Sequence, residues 1–373
     1  MKQPKKPALR FKGFVNDWEQ RKLGDIVDFL DTQRKPLTEN IREKGPYPYY
    51  GASGIVDYVA GYIFDEELVL LSEDGANITD RNYPVCFLAS GKYWVNNHAH
   101  VLKTKEGIDN NFICNSLECK DFSIYNTGMA MPKLNQDICK KIPVDFPTYD
   151  EQEKIGNYFR NIDYFITLHQ RKLEKLQNLK KAMLEKMFPK NGAKVPEIRF
   201  KGFTDDWEQR KLGECCQEFK SGSFISASDI GDVGKYPVYG GNGLRGFSAE
   251  YNHDGEFALI GRQGALCGNM NYSVGRAYFT EHAIAVQANK TADTKFLYYL
   301  LRKMNLGQYS DQSAQPGLAV GKLVKLTDLF PSVAEQIKIG HQFMGIDNLI
   351  TLHQRKLEKL QNLKKAMLEK MFI

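Results

Sequence analysis

The chain has 373 residues, of which 42% are hydrophobic and 26% are charged, and its formal net charge is +6. These values are typical of an ordinary globular protein. No apolar run reaches the roughly 18 residues of a membrane span, and the basic N-terminus lacks the apolar segment of a signal peptide. Seven cysteines without a Cys-x-x-Cys spacing argue against a zinc site and favour the reducing cytoplasm.

The first predicted element lies in a segment that occurs twice. Residues 10–24, RFKGFVNDWEQRKLG, agree with residues 199–213 at thirteen of fifteen positions, at an offset of 189. Because a solenoid repeat has a period of only about 20–50 residues, this spacing indicates a duplicated domain. We interpret Trp18 and Trp207 as core aromatics, or as anchors that hold the start of each copy against its own domain.

Further matches follow in chain order. Residues 47–54 (YPYYGASG) match residues 236–243 (YPVYGGNG) at the same offset, as does the Gly-Ala pair at 75, while His98-Ala99 matches His282-Ala283 at an offset of 184. Short apolar runs at residues 68–71, 85–88, 257–260 and 283–286 are broken by Gly, Asn and Asp, which predicts strands. We therefore predict two globular domains of similar mixed α/β fold, at residues 1–149 and 199–331.

A long helix is predicted after each domain, at residues 150–188 and 332–373. Residues 166–188, ITLHQRKLEKLQNLKKAMLEKMF, recur without change at residues 350–372 and contain no Gly or Pro. Asp150 and Ser332 are the expected N-caps. The Phe-Pro-Lys-Asn-Gly sequence that begins at residue 188 ends the first helix and opens a linker at residues 189–198.

The apolar residues of both helices follow one heptad pattern, which neither helix can bury alone. We predict that the two helices form an antiparallel coiled coil, in which Ile166 faces Leu360. Lys180 and Lys364 are expected to cover this seam with their aliphatic stems and to extend their ammonium groups to water. The apolar seam residues are Ile155, Phe159, Ile162, Ile166, Leu173, Leu176, Met183 and Met187 in the first helix and Ile339, Phe343, Ile346, Ile350, Leu357, Leu360, Met367 and Met371 in the second.

The repeated helix segment is also the most basic part of the chain. Each copy holds six basic and two acidic residues. Two interpretations stay open, namely a solvated helix face or a basic surface that meets an acidic partner or phosphates.

Signatures of catalysis are missing from the sequence. It contains no G-x-x-x-x-G-K-[ST] loop and no Asn-Pro-Pro or Asp-Pro-Pro of an adenine-type methyltransferase. His98-Ala99-His100 could begin a metal site, but no nearby cysteine or carboxylate spacing completes it, so we interpret these histidines as part of the frame. The sequence therefore predicts a binding protein with no catalytic and no metal-binding residues.

Two copies of one frame with different loops suit a target made of two related halves, such as a split site on B-DNA. Arg pairs with guanine and Asn or Gln with adenine, although each such residue could equally be a surface or turn residue. The first domain offers Gln33, Arg34, Lys35, Asn77, Arg81, Asn82, Lys92, Asn96 and Asn97. The second offers Lys220, Ser221, Ser223, Asn242, Arg245, Arg262, Gln263, Asn269, Asn271 and Arg276.

The combination of these motifs resembles the specificity subunit of a type I restriction–modification system. RFKGF-x-x-DWEQRKLG, YPVYGGNG, the Phe-Pro followed by E-Q-x-K-I-G, and the helix ending LKKAMLEKMF recur in the same order and cover nearly the whole chain. The resemblance implies two target recognition domains that each read one half of a bipartite, asymmetric site on double-stranded DNA. It implies that the helices space these domains and dock two methyltransferase subunits. S-adenosylmethionine, ATP and Mg would then belong to the partner methyltransferase and restriction subunits, and no cofactor to this chain.

Two other classes stay open at this point. The chain could be a single-chain modification enzyme, which the missing motifs disfavour, or a coiled-coil adaptor that binds only proteins. Binding to random duplex DNA, with and without a methyltransferase partner, separates the adaptor from the specificity subunit.

Overall fold

The computed structural model describes residues 6–190, 192–310 and 316–373. Asn191 of the predicted linker, residues 1–5 of the first predicted domain and residues 311–315 of the second lie outside the described residues. The chain divides into two compact units, Met1–Gln170 with Arg355–Ile373, and Arg171–Gln354. Each unit contains one globular domain and a part of each long helix. None of the helices in the described ranges is both long enough and apolar enough to cross a membrane.

The first unit has a mixed α/β domain. Its helices are α1 (Leu23–Ile26), α2 (Asn77–Asp80), α3 (Asn110–Glu118) and α4 (Gln136–Cys139). Its strands are β1 (Glu19–Lys22), β2 (Val27–Phe29), β3 (Lys44–Gly51), β4 (Gly54–Val59), β5 (Phe64–Asp65), β6 (Leu68–Ser72), β7 (Cys86–Ala89), β8 (Lys92–Val95), β9 (Ala99–Thr104) and β10 (Pro143–Phe146).

These strands form three sheets. One has the order β2-β9-β6-β7, a second has the order β4-β3-β8-β5, and β1 pairs with β10. All five residues of β6 are buried, and the first four are apolar, as expected of a strand covered on both faces. Pairing is antiparallel except between β3 and β8.

The second unit also has a mixed α/β domain. Its elements are β11 (Glu208–Lys211), β12 (Cys216–Ser221), β13 (Tyr236–Gly240), β14 (Gly243–Ser248), β15 (His253–Gly261), β16 (Met270–Phe279), β17 (Ala283–Ala288), α6 (Thr294–Lys303), α7 (Val320–Leu323) and β18 (Thr327–Phe330). Where the first unit has two four-stranded sheets, this unit has one six-stranded sheet in the order β12-β17-β15-β16-β13-β14, and β11 pairs with β18. The predicted mixed α/β class is confirmed in both units.

Each long helix is one continuous element. α5 (Tyr149–Lys186) has 38 residues and α8 (Val333–Met371) has 39. Ser332 occupies the expected cap position, and its hydroxyl accepts the N–H of Glu335 at 3.4 Å. The expectation for Asp150 was wrong, because α5 begins at Tyr149 and Asp150 lies in its first turn. Thr148, which corresponds to Ser332 in the repeat, accepts the first helical N–H groups instead.

A buried ion pair joins each domain to the first turn of its own long helix. Arg10 binds Glu151 through two hydrogen bonds of 2.7 Å, and Arg199 binds Glu335 at 2.7 and 2.8 Å. Each glutamate is only 1% exposed. Paired charges with this geometry are costly to break, at about 3–5 kcal/mol for loss of one partner. The repeated RFKGF and E-Q-x-K-I-G motifs therefore form one joint.

The residues after each glutamate complete this joint. Gln152 accepts the N–H of Asp109 at 3.2 Å and donates to Pro147 O at 3.0 Å. Gln336 does the same with Asp293 and Pro331, at 3.0 and 2.8 Å. The two aspartates cap α3 and α6, so the glutamine ties one helix start to another.

The glycine of E-Q-x-K-I-G allows this close approach. A side chain on Gly156 would overlap the Asp109 carboxylate, and on Gly340 it would lie 2.8 Å from Asp293 Oδ1. Glycine is therefore required in both copies.

The end of each repeated helix fills an aromatic socket. In the first unit Phe372 lies 5.3 Å from Phe112 and 6.2 Å from Trp18, measured between ring centroids. Trp18 is 2% exposed. The domain core therefore includes the last residues of α8 as well as the first turns of α5.

The second unit contains the equivalent socket. Phe188 lies 5.7 Å from Phe296 and 6.1 Å from Trp207. The second domain core thus includes the end of α5 and the start of α8.

Within each unit the two helix segments run antiparallel. In the first unit Lys364 Nζ lies 2.6 Å from Asp163 Oδ1, next to the expected position opposite Ile162. In the second unit Lys180 pairs with Asp347, next to Ile346. Every seam position of both helices is buried or half-buried.

The expected path of the Lys180 side chain was wrong. Lys180 is only 8% exposed, and its ammonium binds Asp347 and lies 5.5 Å from the ring of Tyr299 instead of reaching water. The pKa of Lys180 is lowered, mainly because the side chain is buried. The hydrogen bond to Asp347 acts in the opposite direction and raises the pKa. The seam thus contains an ion pair between Lys180 and Asp347, the residue that follows the expected apolar partner Ile346.

We predict that Phe372→Ala destabilises the first unit by about 3–5 kcal/mol, because it empties an aromatic socket. Ile373→Ala is the control, since Ile373 is 40% exposed. The loss of unfolding free energy is measured by urea titration, with hydrogen exchange at residues 110–118 as the probe of the first unit. Equal effects of the two substitutions would contradict the socket.

We also predict that Ile166→Cys with Leu360→Cys forms a disulfide, because the antiparallel register places these positions opposite each other and a disulfide needs Cα atoms about 4.4–6.8 Å apart. Ile166→Cys with Met367→Cys is the control, since Met367 lies seven residues, about 10 Å, further along the helix. Mass spectrometry of peptides from the non-reduced protein measures the disulfide in each variant, with the wild-type chain for comparison. Preferential formation of the control disulfide would overturn the register.

Candidate nucleic-acid interface

Three segments of the first unit meet at the end of the β3–β4 hairpin. They are the hairpin turn at residues 51–54, residues 73–77 after β6, and residues 96–98 after β8. Glu73 N–H donates to His98 O at 2.9 Å, and Asn77 Nδ2 donates to Ala52 O at 3.2 Å. We call this corner the turn face of the first unit.

The second unit has the same corner, formed by residues 240–243, 262–268 and 280–282. Arg262 N–H donates to His282 O at 2.9 Å. A Cβ atom on Gly241 would lie 3.0 Å from that same carbonyl oxygen, and one on Gly243 would lie 2.9 Å from Asn271 Oδ1. This corner is the turn face of the second unit.

The repeated Gly-Ala pair shapes both turn faces. Gly75 has φ +117° and Gly264 has φ +86°, a region that strongly favours glycine. Their N–H groups donate to Pro132 O at 3.1 Å and to Pro316 O at 3.0 Å. The frame of the turn face is therefore held by backbone bonds that do not depend on the neighbouring side chains.

Three candidate residues of the first unit are engaged within the protein. Arg34 Nη1 donates to Glu73 Oε2 at 2.7 Å and to Ala99 O at 2.8 Å. Asn77 and Asn96 are each 7% exposed. Asn77 donates to the hydroxyl of Ser72 at 2.9 Å, and Asn96 Oδ1 accepts a backbone N–H at 2.8 Å. These side chains are therefore bonded within the protein, in addition to the backbone bonds that close the turn face.

The other first-unit candidates are exposed, and they fall into a group beside the turn face and a group outside it. Gln33, Lys35 and Asn97 lie in segments beside the turn face. Arg81 instead binds the Glu118 carboxylate at 2.8 Å, and Asn82 follows it. Lys92, at the start of β8, lies 4.7 Å from the ring of Tyr62. These last three lie outside the segments that form the turn face.

Most second-unit candidates converge on their turn face. Asn242 lies in the hairpin turn and Arg245 at the start of β14, and both are exposed. Asn271 pairs with Leu259 at the adjoining end of β16. The exposed residues Gln263 and Asn269 and the half-buried Arg262 lie in or beside the loop after β15.

The remaining second-unit candidates lie on β12, just after it, or at the far end of β16. Ser221 pairs with Ile284, which brings it and the following Ser223 near the turn face, and the exposed Lys220 precedes them. Arg276 binds Asp254 at 3.0 Å. It is five residues from Asn271, or about 17 Å along the strand, and so lies away from the turn face.

A charged network lies directly behind the first turn face. His100 is 1% exposed, and both of its ring nitrogens face acceptors, Asp31 Oδ2 at 2.7 Å and Leu134 O at 2.7 Å. A ring with two acceptors must donate from both nitrogens and therefore carries a proton on each. Burial alone would lower the pKa of His100, but hydrogen bonds to Asp31 and Cys139 raise it to about 10.

This network has three groups of the kind that bind metals, Asp31, Glu73 and His100, within 4.8 Å of one another. Their lone pairs are already used. Glu73 accepts from Arg34 at 2.7 Å and faces Lys133 at 3.4 Å, and both ring nitrogens of His100 are donors. The arrangement is a neutralised ion-pair network and does not suit a metal ion.

Sequence reasoning missed the two exposed histidines of the turn faces. His98 Nδ1 lies 2.9 Å from both carboxylate oxygens of Asp74, and His282 Nδ1 lies 3.1 Å from Gln263 Oε1. The shared His-Ala pair was visible in the repeat. What could not be read from the sequence was that the first histidine of His98-Ala99-His100 is exposed and the second buried.

The fold and the paired turn faces define a duplicated binding protein, and comparisons with known proteins give its class. The family model of the type I restriction modification DNA specificity domain matches residues 15–178 and again residues 204–362. The chain therefore belongs to the family of type I restriction–modification specificity subunits.

Individual relatives agree with this family. The EcoprrI specificity subunit of Escherichia coli is 42% identical over 161 residues, and the match covers 41% of this chain and only 40% of that protein. The MjaVIII specificity subunit of Methanocaldococcus jannaschii is 22% identical over 94% of this chain and 91% of its own length. The crystal structure of a type I S subunit from Mycoplasma genitalium covers 99% of both chains with a TM-score of 0.82 at 19% identity, which shows the same fold.

We predict that both ring nitrogens of His100 still carry protons at pH 8, because its pKa is raised to about 10. The folded chain binds this proton more tightly than the unfolded chain. The contribution of this proton to the free energy of unfolding is therefore complete below about pH 6.5 and is lost as the pH rises toward 10. Two-bond ¹H–¹⁵N spectra measure the protonation state of the two ring nitrogens. The signals of His100 are assigned by their absence from the spectrum of His100→Gln. A neutral ring at pH 8 would contradict the network.

Proposed function

We propose that this chain gives a type I restriction–modification complex its DNA specificity, and that each turn face reads one half of a bipartite, asymmetric site. One observation carries this proposal. The two turn faces share a backbone frame, yet Glu73 of the first corresponds to Arg262 of the second, and Asp74 corresponds to Gln263. Equal frames with different surface chemistry suit two different half-sites.

The second turn face offers the chemistry that base reading needs. Arginine can donate two hydrogen bonds to guanine, while asparagine or glutamine can pair with adenine. Arg262, Asn269 and Asn271 come from different segments but lie near one hairpin turn, so they can reach neighbouring base pairs together. In the first unit the exposed Gln33, Lys35 and Asn97 take this role, whereas Arg34, Asn77 and Asn96 position the loops.

The exposed surface of the two long helices supports a second part of this proposal, the binding of partner subunits. Apart from Lys180 and Lys364, whose ammonium groups pair with aspartates within the coil, the basic residues of the repeated segments are exposed. Because the two segments are identical, they suit two copies of one partner, a methyltransferase subunit with an acidic surface. Restriction subunits would complete the assembly.

The chemistry would lie in those partners. We propose that S-adenosylmethionine, ATP and Mg bind the methyltransferase and restriction subunits, and that this chain is a non-catalytic recognition subunit. Its seven cysteines are all free, which suits the reducing cytoplasm.

We predict that replacing residues 210–331 with the matching region of a relative changes one half of the recognised site and leaves the other half intact, because the two turn faces belong to separate units. Methylome sequencing of cells that express the complex measures both halves.

The unchanged half-site is the internal control. A change in both halves would contradict separate reading by the two domains. Equal binding of the wild-type complex to every sequence in a random duplex library would instead reject sequence-specific recognition and favour a protein-binding adaptor.

A further inference from the structure

An exposed histidine recurs at the same corner of both turn faces. The side chains of His98 and His282 are 50% and 44% exposed. Each ring is bonded through Nδ1 to the residue before the shared glycine, at 2.9 Å to Asp74 and at 3.1 Å to Gln263. The histidine is therefore shared by the two units while its partner differs.

The backbone already closes this corner without the histidine side chain. The N–H of Glu73 donates to His98 O, and the N–H of Arg262 donates to His282 O, both at 2.9 Å. The next glycine in each unit adds a second backbone bond across the same corner. Holding the loop is thus a task for the main chain, and a half-exposed imidazole is free to serve another purpose.

The two histidines present different surroundings to a ligand. In the first unit Asp74 is a carboxylate, so it accepts from the Nδ1–H of the ring, and the neutral ring then presents Nε2 as an acceptor. In the second unit Gln263 is a neutral amide, which holds both a donor and an acceptor, and Nε2 of His282 lies 3.3 Å from Glu281 Oε1. The same ring therefore offers an acceptor beside a carboxylate in the first unit and lies beside an amide in the second.

We propose that His98 with Asp74, and His282 with Gln263, contact base edges in the two half-sites, and that the residue before the shared glycine determines which base is preferred. This inference rests on the proposed reading of DNA by the turn faces. An Nε2 acceptor beside a carboxylate suits the N4 amino donor of cytosine. An amide suits adenine, whose major-groove edge presents one acceptor and one donor.

Isosteric substitutions test these two positions. Asp74→Asn removes the charge and keeps the shape, and Gln263→Glu adds a charge. Asp254→Asn is the matched control, because this aspartate pairs with Arg276 at the far end of β16, away from the turn face. The full chain with its methyltransferase partner is first used to select its preferred duplex from a random-sequence library. Binding is then measured on that duplex and on every single base-pair change of it.

Asp74→Asn should reduce discrimination by about 10- to 100-fold at one base pair of one half-site, and Gln263→Glu at one base pair of the other. Asp254→Asn should leave every preference unchanged. Melting curves establish that each variant is folded, and His98→Ala should remove the same preference as Asp74→Asn.

Two results would overturn the inference. Equal loss of affinity on all duplexes would assign the histidines to phosphates, and unchanged preferences would assign them no base contact. Failure of the wild-type complex to select any sequence would reject the proposed function itself, which separates the two failures.

Discussion

A buried ion pair fixes each domain to the first turn of its long helix. Arg10 and Arg199 each place a planar guanidinium against a glutamate that is 1% exposed. A buried carboxylate is tolerated only when it is paired, so the start of the domain and the start of the helix must come together. The glutamine and glycine that follow then bring the α3 or α6 cap against the helix. These contacts restrict rotation of the domain about its own helix.

The sockets constrain the ends of the two identical 23-residue helix segments. Each segment ends with a Met-Phe pair, and each phenylalanine is surrounded by the same aromatic set, with Trp18 and Phe112 in the first unit and Trp207 and Phe296 in the second. Two sockets of one shape restrict both tails to one sequence. The same argument applies to the ion pairs of the seam, which use Asp163 and Asp347 at equivalent positions. The identity is therefore consistent with a packing constraint, in addition to any partner that binds the helices.

The sequence predicted the parts of this structure that repetition makes visible. The mixed α/β class, the two long helices and their antiparallel pairing follow from duplicated motifs and a heptad seam. The cap of α5 was misplaced because Asp150 is a better capping residue in isolation than Thr148, although comparison with Ser332 would have identified the right position. The Lys180 side chain was misplaced because its partner lies on the other helix. Sequence patterns describe one element well, but a contact between elements depends on geometry that only the folded chain supplies.

The candidate site shows the same limit in a more consequential form. Residue type alone treated Arg34 and Arg262 as equal candidates for base reading. In the folded chain Arg34 is held by Glu73 and three carbonyl groups, whereas in the second unit the position of Glu73 is itself an arginine. A frame closed by backbone bonds tolerates this reversal of charge, since neither side chain is needed to close the corner. The surface chemistry of the turn face can therefore change without loss of the fold, while the joint and the sockets, which lie in the core, must stay constant. This separation of a fixed core from a variable corner is the physical basis on which one frame can carry two different surfaces.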